Sequence, residues 1–108
     1  MGASITVVRL TGELEIGRRD EIAGALRMTG DETGILLDFS DVSYADSTAL
    51  SQLLRFRNDA GAHGIPVAVL IGNRQLARLI DYAGLRDAFH IFESRASALS
   101  DLAEAATG

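Results

Sequence analysis

The chain contains no cysteine and no tryptophan, a single proline, and only four phenylalanines and two tyrosines. Without cysteine there is no disulfide, no thiolate metal site and no cysteine nucleophile, and nothing points to an oxidising compartment. The expected location is the cytoplasm. The few aromatic residues are not interleaved with basic ones, so there is no stacking platform of the kind single-stranded nucleic acid needs. Positive charge is also short: 10 basic residues face 15 acidic ones, and the net charge of -5 repels phosphate backbones and anionic lipid surfaces. Nucleic acid is therefore not an expected partner. Long apolar runs are missing as well. Stretches such as Val67–Ile71 extend for only a few residues, against about 20 needed to cross a bilayer, and Met1–Gly2–Ala3–Ser4 lacks a charged, apolar leader pattern. Neither membrane insertion nor export is expected, and small aliphatic residues must supply the core.

What is present alternates between two periodicities. From Ser4 to Ile16 the apolar residues first alternate and then run together, with β-branched content that favours a strand and Gly12 as a bend or bulge. Arg18 to Thr29 sets Ile22, Ala25, Leu26 and Thr29 at helical spacing, with Gly30 and Gly34 flanking a polar turn. Ile35–Phe39 reads as a short central strand interrupted only by Asp38. A helix begins near Asp46–Ser47 and carries Ala49, Leu50, Leu53, Leu54, Phe56 and Ala60 on one side. The breaker Gly61–Pro66 leads into a buried strand, Val67–Ile71. Arg74 to Ala83 forms a further helix closed by Gly84, a short strand covers Phe89–Phe92, and Arg95 to Ala106 repeats the helical pattern. This order predicts an α/β fold: a mainly parallel sheet of about four strands, with about four helices packed against it and right-handed crossovers. The first strand could pair in either sense. The length of 108 residues suits one domain spanning 1–108.

Hydroxyls and carboxylates concentrate in Asp38–Leu50, where a strand hands over to a helix. Loops at the carboxyl ends of parallel strands commonly hold the sites of such folds. Read on spacing alone, Asp46 or Ser47 caps the helix by accepting a bond from an orphaned backbone N–H, a contribution of about 1 kcal/mol. The run Leu36–Val42 followed by Asp46–Ser47–Thr48–Ala49–Leu50 also resembles the signature of STAS domains, the anti-sigma factor antagonists and their relatives. Val8–Glu15, Gly64–Ile65–Pro66–Val67 and Leu79–Leu85 are similar to further parts of that family. Together these segments span about Ile5 to Leu102 in the expected order, which is more specific than any one motif.

The resemblance implies a protein that acts by binding and not by catalysis. In members that regulate sigma factors, the first serine of a D-S-[ST]-G-L motif is phosphorylated by an anti-sigma factor that is itself a serine kinase, and the unphosphorylated form captures that kinase. Carried over, Ser47 is the phosphoacceptor and Thr48 the second hydroxyl. Asp46, Thr48 and Ala49 accompany Ser47 in the partner-binding set, and Asp38 and Asp41 lie in the region used to meet the partner. A phosphatase would reset the switch. A phosphate at a helix N-terminus meets exposed N–H groups and the positive end of the dipole, so the fold should tolerate it. A partner docking over it would instead bury a charge of about minus two beside Asp46 and Asp41. Two features depart from the family pattern. Ala49 stands where glycine is usual, and its methyl could obstruct a kinase. The family commonly has one more strand ahead of Ile5–Glu15, so an exposed sheet edge that pairs weakly with a second copy is a further expectation.

Other chemistry finds no support. His63 and His90 lie far apart with no cysteine to join them, so no metal or cofactor is expected. There is no G-x-S-x-G elbow and no glycine-rich phosphate loop. Arg18, Arg19, Arg55 and Arg57 read as solvated helix positions, the last two also within reach of an acidic partner. The competing reading is a subunit similar to the STAS component of lipid-handling ABC transporters, which is not phosphorylated.

Overall fold

A computed structural model describes residues 5–27, 32–86 and 89–107. Four strands, β1 (Ile5–Leu14), β2 (Gly34–Ala45), β3 (Val67–Ile71) and β4 (His90–Phe92), form one sheet in the order β1-β2-β3-β4. Every pairing is parallel, which decides the sense of β1. The helices are α1 (Arg19–Ala25), α2 (Ser47–Ala62), α3 (Arg74–Tyr82) and α4 (Arg95–Thr107). Strand alternation sorts the core into two layers. Ile35, Leu37 and Phe39 of β2, with Val67, Val69 and Ile71 of β3, pack against Ile22 of α1, Leu50, Leu53 and Phe56 of α2, and Leu76 and Ile80 of α3. The alternate residues Leu36, Ala68 and Leu70 pack against Ala98 and Leu102 of α4 on the opposite face. Burial on both faces is why β2 and β3 read as nearly continuous apolar runs.

The expected elements are present with three changes of length. The first helix is shorter than Arg18–Thr29. A 3₁₀ turn at Ile16–Arg18 precedes it and Leu26 leaves the helical conformation at its end, while Thr29 and Gly30 lie outside the described residues. β1 ends at Leu14, so Ile16 belongs to that turn. β2 is the largest difference. It continues through Ser40–Ala45, read from the sequence as a loop, because the ten-residue β1 pairs with this half too: Thr11 with Asp41, Gly12 with Val42, Glu13 with Tyr44 and Leu14 with Ala45. β3 pairs with β2 only as far as Phe39, so the far half of β2 forms a two-stranded ribbon with β1. Two register shifts absorb the extra residues of β2, one of them at Gly12, whose φ of 77° meets the expectation of a bend.

Helix ends follow the glycine punctuation. After α2, Ile65 N–H donates to Ala60 C=O (2.9 Å) and Gly64 N–H to Gly61 C=O (3.0 Å); after α3, Leu85 donates to Ile80 and Gly84 to Asp81, both at 3.0 Å. These are Schellman closures with glycine in the left-handed region, φ 71° in both cases. Gly72 serves a different purpose. A Cβ built there would sit 2.1 Å from the carbonyl oxygen of Ser40, so only glycine lets β3 turn away so close to β2. Gly72→Ala should therefore lower stability by about 3 kcal/mol. Gly61→Ala, in open space on α2, should raise it by about 0.5–1 kcal/mol. Urea midpoints of the two variants moving in the same direction would contradict this assignment.

Candidate functional site

β2 passes into α2 through one residue, Asp46, whose backbone is still extended (φ −87°, ψ 178°). Its carboxylate accepts two backbone N–H bonds at 2.9 Å each, from Ala49 through Oδ1 and from Ile16 through Oδ2. Its own N–H donates to Leu14 C=O at 2.9 Å, and its C=O accepts from Leu50 N–H. Asp46 is thus a helix cap, as spacing alone suggests, and also the joint between the end of β1 and the start of α2. Arg18 secures the same end of the ribbon. Its Nη1 donates to the carbonyls of Thr11 (2.7 Å) and Glu13 (2.8 Å), and its other nitrogens bond Glu21. The bond from Arg18 holds the Glu21 carboxyl below its ordinary range.

Ser47 is the first residue of α2 and is exposed, while Thr48 and Asp46 are half-buried. The side chain of Ala49 is fully buried in the core. Its methyl is packed in the core and offers no surface of its own to a docked partner. Asp41 is exposed, on the ribbon, where it pairs with Arg9. Asp38 lies elsewhere. It is 3% exposed, on the α4 side of the sheet, and its Oδ1 accepts from Ser40 Oγ (2.6 Å) and Ser40 N–H (3.1 Å) while Oδ2 accepts from Arg95 Nη1 at 3.2 Å. Of the residues singled out in the sequence, the structure therefore brings Asp46, Ser47 and Thr48 together, with Asp41 a few residues upstream. Asp38 and Ala49 present almost no surface to a docked partner.

The largest influence on the Asp38 carboxyl is burial, which pushes its pKa up. The two bonds from Ser40 and the charges of Arg9 and Arg95 together outweigh it, so the value is lowered overall. Among the described residues no three His, Cys, Asp or Glu side chains gather as a metal site, and no helix is long and apolar enough to cross a membrane. A cavity of about 540 Å³ opens at the far end of α2, beside Arg57, Pro66 and His90, a whole helix away from Ser47. Sequence reasoning did not find Arg95 reaching Asp38 across 57 residues. Nor did it show that Ile16 and Tyr44 would be left exposed beside Asp46.

The STAS domain family model matches residues 3–98. The chain belongs to the STAS family. No curated protein matches the sequence, but several solved structures share the fold. A sulfate transporter family protein from Wolinella succinogenes superposes with a TM-score of 0.84 at 17% identity, covering 96% of this chain and 88% of that one. An anti-sigma factor antagonist from Mycobacterium paratuberculosis gives 0.73 at 20% identity, over 92% and 86% of the two chains. The anti-sigma factor antagonist SpoIIAA in its unphosphorylated form gives 0.72 at 20% identity, over 94% and 90%. The STAS fold in this chain is thus shared by proteins of two functional settings.

Two variants separate the joint from the buried carboxylate. Asp46→Ala removes both backbone bonds and should cost about 2 kcal/mol in urea unfolding. The lowered pKa of Asp38 in the folded state means that its stabilisation is complete above the ordinary carboxylate range and is lost as pH falls through the folded-state value. Asp38→Asn should be less stable than the parent at pH 7, and it should lose less of its remaining stability between pH 6 and pH 3. An equal acid-induced loss in both proteins would refute this role.

Proposed function

We propose that this STAS domain is an anti-sigma factor antagonist. Unmodified, it binds an anti-sigma factor that is a serine kinase; phosphorylated on Ser47, it lets go and the kinase returns to its sigma factor. The observation that carries the reading is the position of Ser47: an exposed hydroxyl on the first residue of a helix, next to a carboxylate whose two oxygens are already bonded to backbone. A phosphate there leaves the core untouched and adds about two negative charges to a surface already holding Asp46 and Asp41. On the free protein, water and the helix terminus stabilise that charge. Under a docked partner it is desolvated, and a penalty of only about 3 kcal/mol weakens binding roughly a hundredfold. The family match and the likeness to two anti-sigma factor antagonists support the same reading. Serine-kinase partners, a resetting phosphatase and a cytoplasmic setting follow from it.

A second reading, a constitutive STAS subunit of a transporter assembly, is favoured by one observation, the superposition on the sulfate transporter family protein. The two readings differ at Ser47. With a purified serine-kinase anti-sigma factor from the same organism, Ser47→Ala should bind as tightly as the parent, and Ser47→Asp should bind at least about thirtyfold more weakly. Equal binding by both variants would refute the switch, and stable association with a transporter subunit whatever residue occupies position 47 would favour the second reading.

A further inference from the structure

The two edges of the sheet are built differently. β4 is three residues long, and shortness is one of the ordinary ways in which an edge is kept from pairing. β1, at the other edge, has ten residues. Its register with β2 shows which of its backbone groups are free. Ile35 N–H donates to Pro66 C=O on the β3 side, so Gly34, Leu36 and Asp38 direct their backbone groups at β1. There they bond Thr6 and Val8, which lie between them in the register. Ile5, Val7 and Arg9 consequently turn both N–H and C=O outward. The same alternation holds further along: Leu14 C=O accepts from Asp46 N–H on the β2 side, and the outward carbonyls of Thr11 and Glu13 accept from Arg18. Arg18 thus closes the edge of the ribbon half. The half at Ile5–Arg9 has no such closure. It runs in unbroken register with β2 and contains no proline and no lysine, four of its residues are β-branched, and among the described residues no side chain bonds its outward groups.

We propose that the chain forms a two-fold dimer in which Ile5–Arg9 pairs antiparallel with the same segment of a second copy, centred on Val7, so that one sheet runs through both molecules. The occupant is a second copy because the free groups complement themselves. A two-fold axis normal to the sheet at Val7 sets Val7 opposite Val7 and Ile5 opposite Arg9, and each pair of outward residues exchanges two N–H···O=C bonds. Every outward group of the segment is then satisfied. Val7, 42% exposed, also covers its own copy, an apolar β-branched pair of the kind that stabilises sheets. Other centres do less. An axis at Val8 sets Ile5 against Thr11, whose carbonyl Arg18 already holds, and an axis at Arg9 sets that cation against itself. The Val7 register keeps the two Arg9 residues about 14 Å apart, and each can pair with Asp41 of its own molecule. The two Ser47 corners stay open in this dimer. Leu14, bonded to the start of α2, lies about 24 Å along the strand from the axis, so the corners stand at opposite ends of the joined sheet.

Sedimentation equilibrium of the full chain tests the dimer, and single-cysteine variants test its register. The chain should show a monomer–dimer equilibrium, and Val7→Lys, which sets like charges opposite each other at the axis, should raise the dimer Kd about tenfold or more. Tyr82→Ser, which removes an apolar side chain that is 90% exposed on α3, should leave that Kd within about threefold of the parent. The chain has no cysteine of its own, so each introduced thiol reports one position. Val7→Cys, with Cα atoms about 5.5 Å apart across a hydrogen-bonded pair, should oxidise to a disulfide-linked dimer. Arg9→Cys, about 14 Å from its copy, should not. A chain that stays monomeric at millimolar concentration, or a dimer that Val7→Lys leaves intact, would overturn the proposal. Cross-linking through Arg9→Cys in place of Val7→Cys would overturn the Val7-centred pairing.

Discussion

One carboxylate joins the two halves of this site. Asp46 accepts N–H bonds from Ala49, inside the helix it starts, and from Ile16, beyond the strand that pairs with its own. A capping side chain ordinarily satisfies only the first kind of donor. By reaching the second as well, Asp46 fixes where α2 begins relative to the end of β1, and Ser47 is consequently displayed on a rigid corner and not on a mobile loop. A covalent change at such a corner alters what the surface offers without altering the core beneath it. The same joint anchors the backbone of Ile16 at the start of the 3₁₀ turn.

The rest of the fold supports that corner from behind. Ala49, the third residue of α2, is sealed in the core, and the side-chain amide of Asn73, which caps α3, donates to Val42 C=O at 2.7 Å and ties α3 to the ribbon half of β2. The close approach of Gly72 to Ser40 belongs to the same attachment. On the other face, Asp38 joins β2 to the first residue of α4 through Arg95. Two carboxylates, one inside β2 and one just past its end, are thereby divided by function. Asp38 is buried and structural, whereas Asp46, eight residues later, sits half-buried at the surface.

Much of this was legible in the sequence because local chemistry and global fold agree. Continuous apolar runs marked β2 and β3, Gly64 and Gly84 marked two helix ends, and Asp46–Ser47 marked a helix start. The ribbon half of β2 was not legible. Its hydroxyl-rich sequence has the composition of a loop and is a strand only because β1 is long enough to pair with it, a non-local fact. The Arg95–Asp38 bond and the exposure of Ile16 were hidden for the same reason, since each depends on elements that meet only after folding. The burial of Ala49 was legible, since the helical spacing already set it with Leu50, Leu53 and Phe56 on the apolar side of α2.

The account stands most directly on where phosphate is added. Intact-mass spectrometry of the chain incubated with ATP and a serine-kinase anti-sigma factor, followed by peptide mapping, should show a single phosphate on Ser47 and none on the half-buried Thr48. No incorporation with any such kinase of the organism, or a phosphate placed elsewhere, would contradict the claim that this corner of the fold is a switch.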